Sequence, residues 1–179
     1  VDQKESIEAV RHWVESFVVE LNLCPFAQRE LQAERVRFCL SEADSSEALL
    51  ERLLEELELL ESDAEIETTL LIHPQVLQDF DDYNQFLDLV DALLEQEGYA
   101  GVYQVASFHP DYQFADTTAG DAQNYSNRSP FPLLHLLREA SVERAVASYP
   151  AVDEIPARNI ERLRQLGVER LQSMLRGTS

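Results

Sequence analysis

Apolar residues recur at helical spacing through Ile7, Val10, Val14, Phe17, Val18 and Leu21, which predicts an amphipathic helix over Glu5 to Leu21 with Trp13 partly buried. Pro25 ends it, because the residue before a proline avoids the helical region, and a short helix over Phe26 to Leu31 can follow. From Arg35 to Leu40 the period changes to two, with Val36, Phe38 and Leu40 alternating against Arg37 and Cys39, as in a strand. Asp44-Ser45-Ser46-Glu47 supplies cap residues for a helix running to Leu60, its stripe formed by Leu49, Leu50, Leu53, Leu54, Leu57 and Leu60. Ile66 to Ile72 reads as a second strand closed by His73-Pro74. Asp79 to Gln96 reads as a helix stopped by Gly98, and Val102 to Phe108 as a third strand closed by His109-Pro110. After a long polar and aromatic loop, helices are predicted over Pro132 to Ala147 and Ile155 to Arg176.

Strand, helix, strand, helix, strand is the order of parallel strands joined by right-handed crossovers. The expected fold is therefore α/β: a small, mainly parallel sheet of three strands, with crossover helices and additional N- and C-terminal helices. The length, 179 residues, suits one domain spanning 1–179. Parallel pairing puts the carboxyl ends of all strands on one edge, where ligands bind in open α/β sheets. His73 and His109 each end a strand, so they are expected to share that edge.

Charge narrows the partners. The net charge of -20 argues against nucleic acid and against anionic membrane, both of which need a basic surface. From Glu42 to Glu97 there are 18 acidic residues and one basic residue, Arg52, whereas Arg158 to Ser179 holds five arginines and two glutamates. Such a run solvates a helix face, or meets a basic protein partner. No apolar run is long enough to span a bilayer and no signal-peptide pattern is visible, so a soluble, cytoplasmic protein is expected. Two cysteines, Cys24 and Cys39, make neither a disulfide framework nor a zinc pattern.

Three blocks carry a resemblance: Asn22-Leu23-Cys24-Pro25-Phe26-Ala27, Ala106-Ser107-Phe108-His109-Pro110, and the run from Asn124 through Arg128, His135 and Arg138 to Glu139. Over nearly its whole length the chain resembles the bacterial family catalogued as domain-of-unknown-function 1415. The resemblance implies a soluble bacterial protein and draws attention to Cys24, His109, Asn127, Arg128, His135, Arg138 and Glu139. It gives none of them a chemical role and implies no cofactor.

The residues themselves support three chemistries. The first is an anion site beneath the 109–131 loop, at the start of the helix expected from Pro132. There, free amides and the helix dipole would meet a phosphate or carboxylate. Arg128 would clamp that anion, Asn127 would orient it, His73 would line the same cleft, and Tyr112, Phe114 or Tyr125 would stack on a flat ligand. His109 would serve as the catalytic acid or base. Pro130 and Pro132 count against the site, since each removes an amide. The second is a metal centre on His135 and Glu139, four apart on one helical face, although no second histidine completes the zinc-hydrolase pattern. The third is a Cys24 nucleophile, which follows a helix end and would need a histidine from elsewhere in the fold. Set against an enzyme or small-molecule binding protein is a non-catalytic interaction protein, in which Arg128 merely fastens its own loop.

Overall fold

A computed structural model describes residues 2–177. Four strands form one open sheet: β1 (Val36–Leu40), β2 (Thr68–Ile72), β3 (Tyr103–Phe108) and β4 (Leu133–Arg138). Their order is β1-β2-β4-β3. β1 and β2 pair in parallel, while β4 pairs antiparallel with both β2 and β3. The chain is mixed α/β as expected, but its sheet has four strands and mostly antiparallel pairing, which corrects the three-stranded parallel arrangement. β1, β2 and β3 still run in one direction, and β4 fills the gap between the second and third.

The correction lies in one stretch. Where a helix over Pro132 to Ala147 was expected, the chain makes β4 and then helix α5 (Glu139–Ser148). A strand buried on both faces shows no alternation, so Leu133-Leu134-His135-Leu136-Leu137 fits a buried helix as well as a central strand. Leu133, Leu134 and Leu136 are all 0% exposed, as befits a central strand covered on both sides.

Two helical layers sandwich the sheet. On one side α3 (Ser46–Ser62) and α4 (Phe80–Gln96) pack Leu53, Leu57, Phe86 and Val90 against Leu71, Leu134 and Leu136. Ser45 caps α3 through the Ala48 amide and Asp79 caps α4 through the Asp82 amide, as their sequence positions suggest. On the other side lie α1 (Gln3–Trp13), α2 (Ala27–Gln32), α6 (Ile155–Leu166) and α7 (Val168–Leu175). Val10, Phe17, Leu163 and Leu171 there meet Leu70, Ile72 and Leu133. The helix expected over Ile155 to Arg176 breaks at Gly167, whose φ of 80 no other residue adopts cheaply.

The first helix also departs from expectation. After Trp13 it widens into a π-helical segment, Val14–Val19, before Leu23-Cys24-Pro25 turns the chain into α2. Segments of this kind are rare and frequently border functional sites.

Candidate functional site

Two histidines follow strand ends, and a third, His135, lies in the middle of β4 opposite Leu70 and Ala106. At the carboxyl ends of β2 and β3, His73 and His109 do share an edge, each at 0% exposure. Both flank the Tyr83 ring, His73 with centroids 5.8 Å apart and His109 at 5.0 Å. The Tyr83 hydroxyl donates to the Leu133 carbonyl at 2.7 Å and accepts from the Phe108 amide at 3.0 Å. His73 Nδ1 lies 3.1 Å from the Val76 carbonyl, which can only accept, so this nitrogen carries the proton. By the same reasoning His109 Nε2 donates to the Leu77 carbonyl at 3.0 Å, while its Nδ1 accepts from the Asp111 amide at 3.0 Å. Both nitrogens of His109 are thus committed to backbone, and the Nε2 bond meets Leu77, whose backbone is left-handed (φ 59). Burial pushes the His73 pKa down to about 4, with His109 nearby adding to the effect, and burial also lowers His109.

The loop residues are equally committed. Arg128 Nε donates to the Tyr112 carbonyl at 3.1 Å and Nη2 to the Ala119 carbonyl at 2.8 Å, with the guanidinium 4.6 Å above the Tyr125 ring. Asn127 Nδ2 donates to the Ser107 carbonyl, and its own carbonyl accepts from the His109 amide. Asn124, fully buried, accepts from the Phe114 amide and the Thr117 hydroxyl and donates to the Thr118 carbonyl. The helix start that was to seat an anion does not exist at Pro132, because β4 occupies that position. His135 and Glu139 share no helical face either, one lying within a strand and the other opening α5. Among the described residues no group of three or more His, Cys, Asp or Glu is placed to hold a metal.

A second region is built differently. A cavity of about 370 Å³ reaches from Val36 and Thr68, at the amino ends of β1 and β2, to Phe108 at the carboxyl end of β3. Its floor is one face of the sheet, with Val36, Leu70, Leu137 and Phe108. Trp13, Val14 and Val18 form one wall, Cys24 and Phe26 another, and α5 roofs it with Val142, Ala145 and Val146. The π-helical segment supplies Val14 and Val18, so the widened backbone and the cavity coincide. Helix α5 has no fully buried residue, and Val146 is 43% exposed.

Within these apolar walls stands His135. The Thr68 hydroxyl donates to the Leu136 carbonyl at 2.6 Å, so toward His135 Nε2, 2.8 Å away, it can only accept. The imidazole is therefore the Nε2–H tautomer, and among the described residues no protein group hydrogen-bonds its Nδ1 lone pair. Desolvation by the walls lowers its pKa to about 4, which keeps that lone pair available at neutral pH. The Gln104 carboxamide lines the same space. Arg138, on the boundary, directs Nη2 to the carbonyls of Leu60 (2.6 Å), Asp63 (3.1 Å) and Ile66 (2.7 Å), clamping the end of α3 to the start of β2.

Cys24 lies between the π-helical segment and α2, and its backbone carbonyl accepts from the Ala27 amide at 3.3 Å. Cys24 and His135 both line the cavity. Thr68 and Gln104 drew no attention in the sequence, although each puts a polar side chain on an otherwise apolar sheet face. That inward polar position is the signal that marks them.

Residues 5–173 match the family model described as Protein of unknown function (DUF1415), and the chain belongs to that family. No curated protein and no solved structure matches it. Among the described residues no helix is long and apolar enough to cross a membrane.

Proposed function

We propose that this member of the DUF1415 family holds a neutral, mainly apolar small molecule in the cavity between its sheet and α5, with His135 as the polar anchor. The observation that carries the reading is the His135 Nδ1 lone pair, fixed as an acceptor by Thr68 and left unmet inside apolar walls. A concave apolar site with a few convergent polar groups is the usual form of a small-molecule site, and the volume of about 370 Å³ falls in the usual range. A ligand hydroxyl or amide N–H would satisfy the imidazole.

Charge selects against anions here. Glu30 and Glu67 border the cavity, and the guanidinium of Arg138, the sole arginine among its lining residues, is spent on three carbonyls. The anionic ligand inferred from Arg128 finds less support, because that guanidinium is likewise bound to its own loop.

Trp13 is the one tryptophan of the chain and lines the cavity, so its emission reports occupancy directly. Phenols, indoles and aliphatic alcohols should shift that emission and raise the melting temperature through linkage, whereas carboxylates and phosphates should not. His135→Leu should weaken binding about tenfold, the worth of one hydrogen bond to a desolvated acceptor. Ala145→Phe, which fills the space beneath α5, should abolish it. Response to anions alone, or unchanged binding by Ala145→Phe, would overturn the reading.

A further inference from the structure

We infer that the ligand of this cavity carries a neutral carboxamide, seated at His135, Gln104 and Trp13, with an apolar substituent beneath α5. The inference rests on the ligand-binding reading above and names the chemical group that the site selects.

Strand register fixes which polar groups are neighbours. His135 stands opposite Leu70 of β2 and Ala106 of β3. Side chains two apart on a strand share a face, so Thr68, Gln104 and Phe108 lie on the same face as His135. Thr68 reaches His135 across one diagonal, at 2.8 Å, and Gln104, opposite Leu137, lies across the other. Thr68 takes the Nε2–H and leaves Nδ1 an acceptor. The Gln104 carboxamide brings a carbonyl and an amino group, and neither is bound among the described residues. An independent observation comes from the wall. Trp13 is 4% exposed, and its Nε1–H is buried without a partner. The Trp13 ring packs edge-on to Phe108 at 5.4 Å, and Phe108 packs against His135 at 6.1 Å, so one ring joins the unmet donor to the unmet acceptor. Buried donors without partners are few in native chains, and each calls for an explanation.

A carboxamide answers this set. Its N–H donates to His135 Nδ1, its carbonyl accepts from Trp13 Nε1, and it pairs amide to amide with Gln104. Donor and acceptor sit on separate atoms, which suits two rings that both pack on Phe108. A hydroxyl must serve both from one oxygen. An ester keeps the acceptor and lacks the donor, so the imidazole stays unmet. A carboxylate also lacks the donor and brings a charge into apolar walls bordered by Glu30 and Glu67.

Three compounds of one shape separate these groups: hexanamide, methyl hexanoate and hexanoate. Calorimetry on the full chain should find hexanamide bound about tenfold more tightly than the ester, with hexanoate silent. His135→Leu should erase the preference for amide over ester. Trp13→Phe should weaken both by about tenfold, since both offer a carbonyl. Nitrogen-15 resonances of labelled histidine test the wild type without any substitution: hexanamide should move the Nδ1 signal of His135, and methyl hexanoate should leave it in place. An ester bound as tightly as the amide, an amide preference that survives His135→Leu, or a Trp13→Phe protein with wild-type affinities would overturn the inference. Alcohols or phenols that bind while hexanamide gains nothing over its ester would sink the carboxamide and leave the binding reading standing. Silence toward every neutral compound would remove both.

Discussion

His109 and His135 use the imidazole in opposite ways. Beside Tyr83, His73 and His109 are fully enclosed, and their bonds to Val76, Leu77 and Asp111 tie down backbone, with His73 Nε2 alone left buried and unpartnered. Within β4 one nitrogen of His135 is fixed by Thr68 and the other is left facing a cavity. The region richer in polar residues is the closed one. Arg128, Asn124, Asn127 and His109 are bound to backbone, because an unmet buried polar group costs more than a bond returns. His135 Nδ1 and Trp13 Nε1 line the cavity without such partners, which is what the proposed ligand would supply.

Acid is the strongest way to break this contrast. All three imidazoles are held below their ordinary 6.5 in the folded protein, His73 and His135 at about 4. The unfolded chain therefore takes up protons first as the pH falls. Stability is fully present above pH 6.5 and is lost toward pH 4, on the order of 3 kcal/mol for His73 alone. Urea denaturation across that range should show the loss, and His73→Phe, which keeps the ring beside Tyr83, should flatten it. Ligand affinity should instead fall when His135 Nδ1 takes a proton near pH 4, a change that His73→Phe leaves in place.

Next in size is Asn124→Ala, which removes three hydrogen bonds from the centre of the closed loop and should cost ~2–3 kcal/mol in denaturant melts. Arg128→Ala removes two bonds and a stacked guanidinium, and should cost ~1–2 kcal/mol. Both variants should leave the Trp13 response to neutral ligands unchanged. Loss of that response in a folded Arg128→Ala protein would restore the loop as the binding site. Smallest in stability is Ala145→Phe, on a helix with no fully buried residue, expected within ~1 kcal/mol of wild type yet blind to ligand.

Much of this fold was legible along the chain because α3 and α4 are separated cleanly from β1, β2 and β3 by caps, prolines and changes of period. That was enough to bring His73 and His109 to one edge. It failed at Leu133 to Arg138, where burial on both faces erases the alternation that distinguishes strand from helix. The anion seat and the His135–Glu139 pair both depended on that helix, so one misread period displaced two candidate sites. The cavity was beyond reach for another reason. Trp13, Cys24, Thr68, Gln104, His135 and Ala145 come from distant segments and share no spacing, and only the assembled layers set them around one space.

The central place of β4 also orders the chain in time. A ribosome delivers β1, β2 and β3 first, yet β2 and β3 never pair with each other and wait for residues 133–138 to fill the gap. Until then the apolar β2 keeps one edge unpaired and β3 keeps both, a state prone to associate with other chains. A nascent polypeptide halted before Leu133 should therefore be captured by chaperones or precipitate. Synthesis runs from one end of the chain to the other, but the sheet closes from its middle, and the last strand made is the one that completes it.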